Sequence, residues 1–177
     1  MKIQSWNTRG IGRPEKRRKI KKGVVERKVD IILLQETKKS KISISLIRSM
    51  WPGDRFEFLA VDAVGRAGGL LCIWNPAVFQ LMDSCCNHSF LLLSGTLFSS
   101  FPCVIVNVYA PNDVVKRQEL WASLVNLKPN FPGPWCLGGD FNEIRNLSER
   151  VGCSNRDRGM RDFNTMIEQM DLLDIRW

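Results

Sequence analysis

The sequence predicts an α/β (α+β) sandwich, with β-sheets packed face to face and helices on the outside. Three observations predict it. Short apolar runs alternate with Gly, Pro and Asn turn signals along the whole chain. Strand-like runs outnumber helical stretches. The helical stretches fall between groups of strands instead of in one block.

The elements follow in order. Lys2–Asn7 reads as a first strand. Pro14–Val29 reads as a helix, since Pro14 suits a first turn and Ile20, Val24 and Val25 form an apolar stripe. Gly23 weakens that helix by about 1 kcal/mol relative to alanine. Asp30–Glu36 is a strand with the buried centre Ile31-Ile32-Leu33-Leu34. Arg55–Val61, Gly69–Trp74, Phe79–Ser84 and Phe90–Leu97 are strand candidates, punctuated by Gly65–Gly69, Asn75-Pro76 and Asn87-His88 as antiparallel neighbours would be. Cys103–Tyr109 is a β-branched strand. Val115–Leu127 is a helix with Leu120, Leu124 and Leu127 on one face. Trp135–Asn142 is a strand, and Gly159–Leu173 a helix with Phe163, Ile167 and Met170 at helical spacing.

Composition narrows the class. A chain of 177 residues, 44% hydrophobic and 25% charged, suits one globular domain. No apolar run approaches the roughly 18 residues of a membrane span. The start, Met1-Lys2-Ile3-Gln4-Ser5-Trp6-Asn7, has no charged-then-apolar leader, so a nuclear or cytoplasmic protein is expected rather than a secreted one. Six cysteines form no C-x-x-C pair, so neither a zinc site nor a thioredoxin-type site is indicated, and they read as reduced small hydrophobes. Net charge is +8. Residues 1–50 hold fifteen Lys/Arg against four Asp/Glu, so the basic excess is N-terminal and a polyanion, nucleic acid above all, is the expected partner.

Chemistry gathers where four strands end in polar residues. The ends are Asn7, Glu36 after Gln35, Tyr109 before Ala110-Pro111-Asn112, and Asp140 with Asn142. On a strand, residues two apart share a face, so Asp140 and Asn142 are expected to project together. Gly138-Gly139 removes side-chain bulk just before them and admits a close backbone or ligand. Each residue alone has a plain reading as a turn former or a solvated strand end. Together they suit phosphodiester hydrolysis. A hard divalent cation prefers carboxylate oxygen, and magnesium takes only one or two protein carboxylates. Glu36 could supply one with Asn7 beside it, Asp140 could orient water, and Asn142, Tyr109 and Asn7 could stabilise phosphate charge.

The segments Ser5-Trp6-Asn7-Thr8-Arg9-Gly10, Leu33-Leu34-Gln35-Glu36-Thr37, Asn107-Val108-Tyr109-Ala110-Pro111-Asn112 and Gly138-Gly139-Asp140-Phe141-Asn142 together resemble the endonuclease/exonuclease/phosphatase superfamily. Within it, Asn7-Thr8-Arg9-Gly10, Gly68-Gly69-Leu70-Leu71 and the tail through Arg161-Asp162-Phe163 look most like the endonuclease domain of plant LINE-type (non-LTR) retrotransposons. The resemblance implies a four-layer sandwich of two mixed β-sheets with outer helices. It implies Glu36 as metal ligand supported by Asn7, Asp140 positioning the attacking water, and Asn142 and Tyr109 on the scissile phosphate. The implied cofactor is Mg2+, with Mn2+ as substitute. The implied partner is DNA, nicked by a monomer to leave a 3′-hydroxyl for a downstream reverse-transcriptase region.

The family pattern also holds an Asp and an Asp-His pair near its C-terminus. The one histidine, His88, stands in Cys86-Asn87-His88-Ser89 and reads as a surface turn residue. Asp171-Leu172-Leu173-Asp174-Ile175-Arg176-Trp177 resembles the stretch just before those motifs, so the expectation is a single domain over residues 1–177, incomplete at its C-terminus, weak or inactive alone, with an exposed sheet edge and poor solubility. A non-catalytic retrotransposon remnant with at most DNA binding and a small-molecule phosphatase of the same fold are the alternatives. Arg9 and Asn112 are candidate DNA contacts, as are Arg145, Arg150 and Arg158 from the arginine-rich stretch after Asn142. The nine Lys/Arg of residues 13–28 read either as a phosphate-contact or nuclear-import cluster or as the solvated face of a helix.

Overall fold

Apolar side chains alternating between the two faces of central strands organise the sheets. The computed structural model describes residues 1–65, 67–149 and 157–174. The chain divides into two compact units, Met1–Tyr109 with Gly133–Asp140, and Ala110–Pro132 with the chain from Phe141 onward. In chain order the first unit contains β1 (Ile3–Asn7), α1 (Pro14–Arg27), β2 (Ile31–Gln35), α2 (Ile44–Arg48), β3 (Glu57–Val61), β4 (Leu70–Trp74), β5 (Phe79–Cys86), β6 (Phe90–Leu97), β7 (Phe101–Tyr109) and β8 (Trp135–Asp140). The strands form two four-stranded sheets, ordered β1-β2-β4-β3 and β5-β6-β7-β8. Both are mixed. β1 runs parallel to β2 and β7 parallel to β8, and the other pairs are antiparallel.

β2 and β4 are buried along their whole length because each is covered on both faces. Ile31 and Leu33 of β2, with Leu70, Cys72 and Trp74 of β4, join Phe79, Leu91, Leu93 and Ile105 in a core between the sheets. Their neighbours Ile32, Leu34, Leu71 and Ile73 point the other way, against Ile20 and Val24 of α1 and Ile47 of α2. The period of two thus assigns each residue to one core or the other. Burial also raises the Cys72 thiol to about 12. Cys72 and Cys103 are buried as expected of small hydrophobes, but Cys86 and Cys136 are exposed. Cys153 lies outside the described residues.

The two glycines before Asp140 serve packing. A Cβ on Gly138 would lie 2.9 Å from Leu33 Cδ1 and 3.5 Å from Ser5 Cβ, so its absence lets β8 close on β1 and β2 of the facing sheet. A Cβ on Gly139 would lie 2.0 Å from the carbonyl oxygen of Val108, its register partner on β7.

The second unit is built on α3 (Val114–Leu127) and α4 (Arg158–Gln169). Asp113 and Asp157 cap them by accepting from Lys116 N at 2.9 Å and Met160 N at 2.8 Å. Trp121, Phe141 and Phe163 form a triangle with ring centroids 5.1 to 6.3 Å apart. Arg117 and Glu143 form an ion pair at 2.9 Å, with side chains only 8% and 1% exposed. Arg117 Nη1 also donates to the Pro111 and Asn112 carbonyls at 3.1 and 2.7 Å, so the guanidinium is hydrogen-bonded where it is buried.

Several expected boundaries move. β8 ends at Asp140, not Asn142, because Asn142 turns into the left-handed region (φ 48°). β2 ends at Gln35, and Glu36 is left-handed too (φ 54°). The last helix stops at Gln169 rather than Leu173. The five-residue α2, capped by Ser43 accepting from Leu46 N at 3.2 Å, is too short to show a helical period. β4 and β5 are not paired neighbours, because the Asn75-Pro76 turn carries the chain from one sheet to the other.

Gly139→Ala is expected to destabilise the protein by about 1–3 kcal/mol in urea unfolding, since a backbone oxygen cannot yield. Gly12→Ala has nothing within 4 Å of the new methyl and is expected to be neutral or slightly stabilising.

Candidate active site

β1, β2, β7 and β8 bring their C-terminal ends to one place in the first unit. Parallel pairing sets Asn7 beside Gln35 and Tyr109 beside Asp140. Asn7 Nδ2 donates to Asp140 Oδ2 at 2.6 Å, joining the edge strands of the two sheets. Asn7 Oδ1 accepts from Arg9 N at 3.1 Å. Burial raises the Tyr109 phenol above its ordinary value, and the negative charges of Glu36 and Asp140 raise it further. Both carboxylates therefore lie within electrostatic range of the same hydroxyl. Asn7, Glu36, Tyr109 and Asp140, predicted separately from four segments, form one cluster.

Glu36 is held in its left-handed backbone from outside the strand. Its carbonyl accepts from Gly10 N at 2.7 Å and from Thr8 Oγ1 at 3.1 Å. Its carboxylate pairs with Lys38 Nζ at 3.0 Å. A non-glycine residue in this region is strained, and such strain persists where surrounding bonds fix it. Lys38 and Thr8 were not singled out from sequence. The signal for Lys38 was the polar run Glu36-Thr37-Lys38 after an apolar strand, and that for Thr8 its place directly after Asn7.

Beneath the cluster lies a pair of buried amides that sequence reading passed over. Gln35 and Asn107 are both 0% exposed. Gln35 Nε2 donates to Asn107 Oδ1 at 2.6 Å and to Ser5 Oγ at 3.0 Å. Asn107 Nδ2 donates to the Leu34 and Leu71 carbonyls at 3.1 and 3.2 Å. One side chain of β7 is thereby bonded to β2 and β4 of the facing sheet. Two amides inside otherwise apolar strands were the available signal.

His88 is exposed in the turn between β5 and β6, as expected. That turn is at the site end of its sheet, since Tyr109 N donates to the Ser89 carbonyl at 2.8 Å. Arg9 is exposed just after Asn7, with a left-handed backbone (φ 48°).

The remaining predicted residues belong to the second unit. Asn142 Nδ2 donates to the Ala110 carbonyl at 2.6 Å. Because Asn142 lies beyond the strand, the two-residue alternation that was to align it with Asp140 does not apply. Asn112 gives its carbonyl to Arg117. Arg145 pairs with Asp174 at 3.7 Å, and Arg158 with Gln118 at 2.9 Å and Asp162 at 3.6 Å. Arg150 lies outside the described residues.

Among the described residues no three His, Cys, Asp or Glu side chains gather into a metal cage. A small hard cation that keeps water and phosphate oxygens as most of its ligands needs only one or two carboxylates. Glu36, with the amide oxygen of Asn7, fits that requirement. No helix among the described residues is long and apolar enough to cross a membrane.

Solved structures share this fold. An AP endonuclease from Leishmania major superposes with a TM-score of 0.72 at 13% identity, over 94% of this chain and 65% of that one. A 3′ phosphatase from Neisseria, bound to product DNA hairpin, gives 0.69 at 17% identity, over 96% and 71%. An AP endonuclease from Archaeoglobus fulgidus gives 0.67 at 14% identity, over 95% and 70%. The chain thus spans just under two thirds of the length of the Leishmania enzyme. No curated protein sequence matches it at a significant level.

The chain has a single tyrosine, so its ionisation is directly readable. Tyr109 is expected to titrate above the ordinary value of about 10 in metal-free buffer. Glu36→Gln and Asp140→Asn should each lower that midpoint by removing a negative neighbour. The ultraviolet tyrosinate band measures it, and an unmoved midpoint in both variants would show that the carboxylates do not face the phenol. The sign carries to stability: a phenol with a raised folded pKa contributes fully below its unfolded value and loses that contribution as pH rises through the folded one.

The endonuclease/exonuclease/phosphatase family model matches residues 5–163, spanning all four strand-end motifs, and the chain belongs to that family.

Proposed function

We propose that this chain carries the Asn7–Glu36–Tyr109–Asp140 part of a magnesium-dependent phosphodiesterase that nicks DNA. One observation carries the reading: Asn7 holds the Asp140 carboxylate at 2.6 Å where the two sheets join, and both Asp140 and Glu36 oppose ionisation of the neighbouring Tyr109 phenol. Such a cluster serves no packing purpose and suits a phosphate with an attacking water.

Glu36 would hold the metal ion, with Asn7 beside it. Bound there, Mg2+ or Mn2+ would supply Lewis-acid neutralisation of phosphate charge. Asp140 accepts a hydrogen bond from Asn7, which fixes its carboxylate to orient water and take up a proton. A phenol with a raised pKa stays protonated at neutral pH, so Tyr109 can donate to a phosphate oxygen. Asn142, Asn112, Arg145 and Arg158 are the second unit's candidates for phosphate contact. Arg9, beside Asn7 in sequence, is the first unit's.

Within this class we place the chain with the retrotransposon-type endonucleases, whose nick primes a downstream reverse transcriptase. Asn7-Thr8-Arg9-Gly10, Gly68-Gly69-Leu70-Leu71 and Arg161-Asp162-Phe163 support that reading.

Supercoiled plasmid should be converted to open circles in Mg2+ and not in chelator. Glu36→Gln and Asp140→Asn should each cut the rate by roughly a hundredfold or more. Equal, near-zero nicking by wild type and Glu36→Gln would make this chain a non-catalytic remnant with at most DNA binding. Release of phosphate from small esters with no nicking would make it a small-molecule phosphatase.

A further inference from the structure

The basic residues of α1 divide into two groups by what they touch. Lys16 Nζ donates to the Thr8 and Arg9 carbonyls at 2.8 and 3.0 Å. Arg17 Nη1 donates to the Ile11 and Gly12 carbonyls at 2.9 and 2.6 Å. These two cations close the loop that follows Asn7. They flank the buried face of the helix, where Ile20 and Val24 meet the first sheet.

The second group faces outward. Arg18 and Lys22 are exposed one turn apart, about 6 Å along the helix axis, with Lys21 between them in sequence. Lys21 Nζ donates to the Arg48 carbonyl at 3.1 Å, which brings exposed Arg48 of α2 alongside. Lys22 is balanced in part by Glu26 at 3.6 Å, both side chains being solvated. Among the described residues, Arg18, Lys19, Lys21 and Arg48 have no carboxylate within salt-bridge reach. A helix needs only a few exposed charges for solubility. This surface concentrates cations on two adjacent helices, in the segment that holds the whole basic excess of the chain.

We propose that the outer face of α1 with α2, centred on Arg18, Lys22 and Arg48 with Lys21 tying the two helices together, is a second contact surface for the phosphate backbone of duplex DNA. The inference extends the DNA reading above and rests on it. The first turn of α1 holds the loop after Asn7, so this surface begins beside the candidate site within the same unit and leads away from it. Duplex DNA presents about one negative charge per 1.7 Å of axis, dense enough to meet a row of cations one helical turn apart. Flexible lysines and solvated arginines would hold backbone and read no bases. The surface therefore adds affinity and salt dependence without sequence preference.

The test compares two double variants with equal charge change. One is Arg18→Gln with Lys22→Gln; the other is Lys2→Gln with Arg55→Gln, from exposed positions elsewhere in the unit. Binding of a short fluorescein-labelled duplex is followed by anisotropy in chelator across a salt series. The first pair should lower the slope of log affinity against log salt by about 1 to 2, and the second should leave it near wild type. Circular dichroism melts should match wild type for both pairs, since all four side chains are exposed. An unchanged slope for the first pair overturns the proposal, and so does an equal fall in both, which would report net charge alone. An effect on single-stranded RNA without one on duplex DNA overturns it as well. Metal-free binding does not depend on catalysis, so absent nicking would sink the hydrolase reading and leave this result standing.

Discussion

The buried hydrogen bond between Gln35 and Asn107 is the constraint on which the rest of the site depends. Apolar packing between two sheets is non-directional, and by itself it lets the sheets slide. Asn107 removes that freedom by bonding to the Leu34 and Leu71 carbonyls on the facing sheet while accepting from Gln35. Gln35 immediately precedes Glu36, and Asn107 stands two residues before Tyr109. Fixing the amides therefore fixes the separation of the carboxylate and the phenol. The cost of the device is visible: Gln35 Oε1 is buried without a protein partner among the described residues, and such an acceptor costs about 1–3 kcal/mol.

The same alignment is enforced a second time at the sheet edges. Gly138 lets β8 close on Ser5 and Leu33, and Asn7 then reaches Asp140 at 2.6 Å. A larger residue at 138 would push β8 away from β1 and lengthen that bond. The glycine pair and the acidic residue after it thus act as one unit, with close packing upstream and a placed carboxylate at the end.

Much of this was legible in sequence because it depends on local pattern. Short apolar runs between Gly, Pro and Asn turn signals located the strands, and polar residues at their ends located Asn7, Glu36, Tyr109 and Asp140. What sequence missed depends on long-range geometry. The roles of Gln35 and Asn107 exist only once two sheets face each other, since the two residues stand 72 positions apart in the chain. The reading of Asp140 and Asn142 as same-face neighbours failed because strand alternation ends where backbone pairing ends. β8 loses its partner after Tyr109, and Asn142 then turns left-handed. α2 escaped notice because five residues cannot display a 3.6-residue period.

The basic helix shows why a count of charges decides little until each is assigned a partner. Lys16 and Arg17 satisfy four loop carbonyls and shape the loop after Asn7, so removing either would disturb the site through its backbone. Arg18 and Lys22 have no such duty. A charge bonded to backbone carbonyls is partly neutralised by their dipoles and is positioned by them. A charge in solvent keeps its counterions and can exchange them for phosphate, which is the source of salt-dependent affinity. One run of nine cations in sequence therefore encodes two things, a brace for the site and a surface beside it. Helical rotation, 100° per residue, is what separates them.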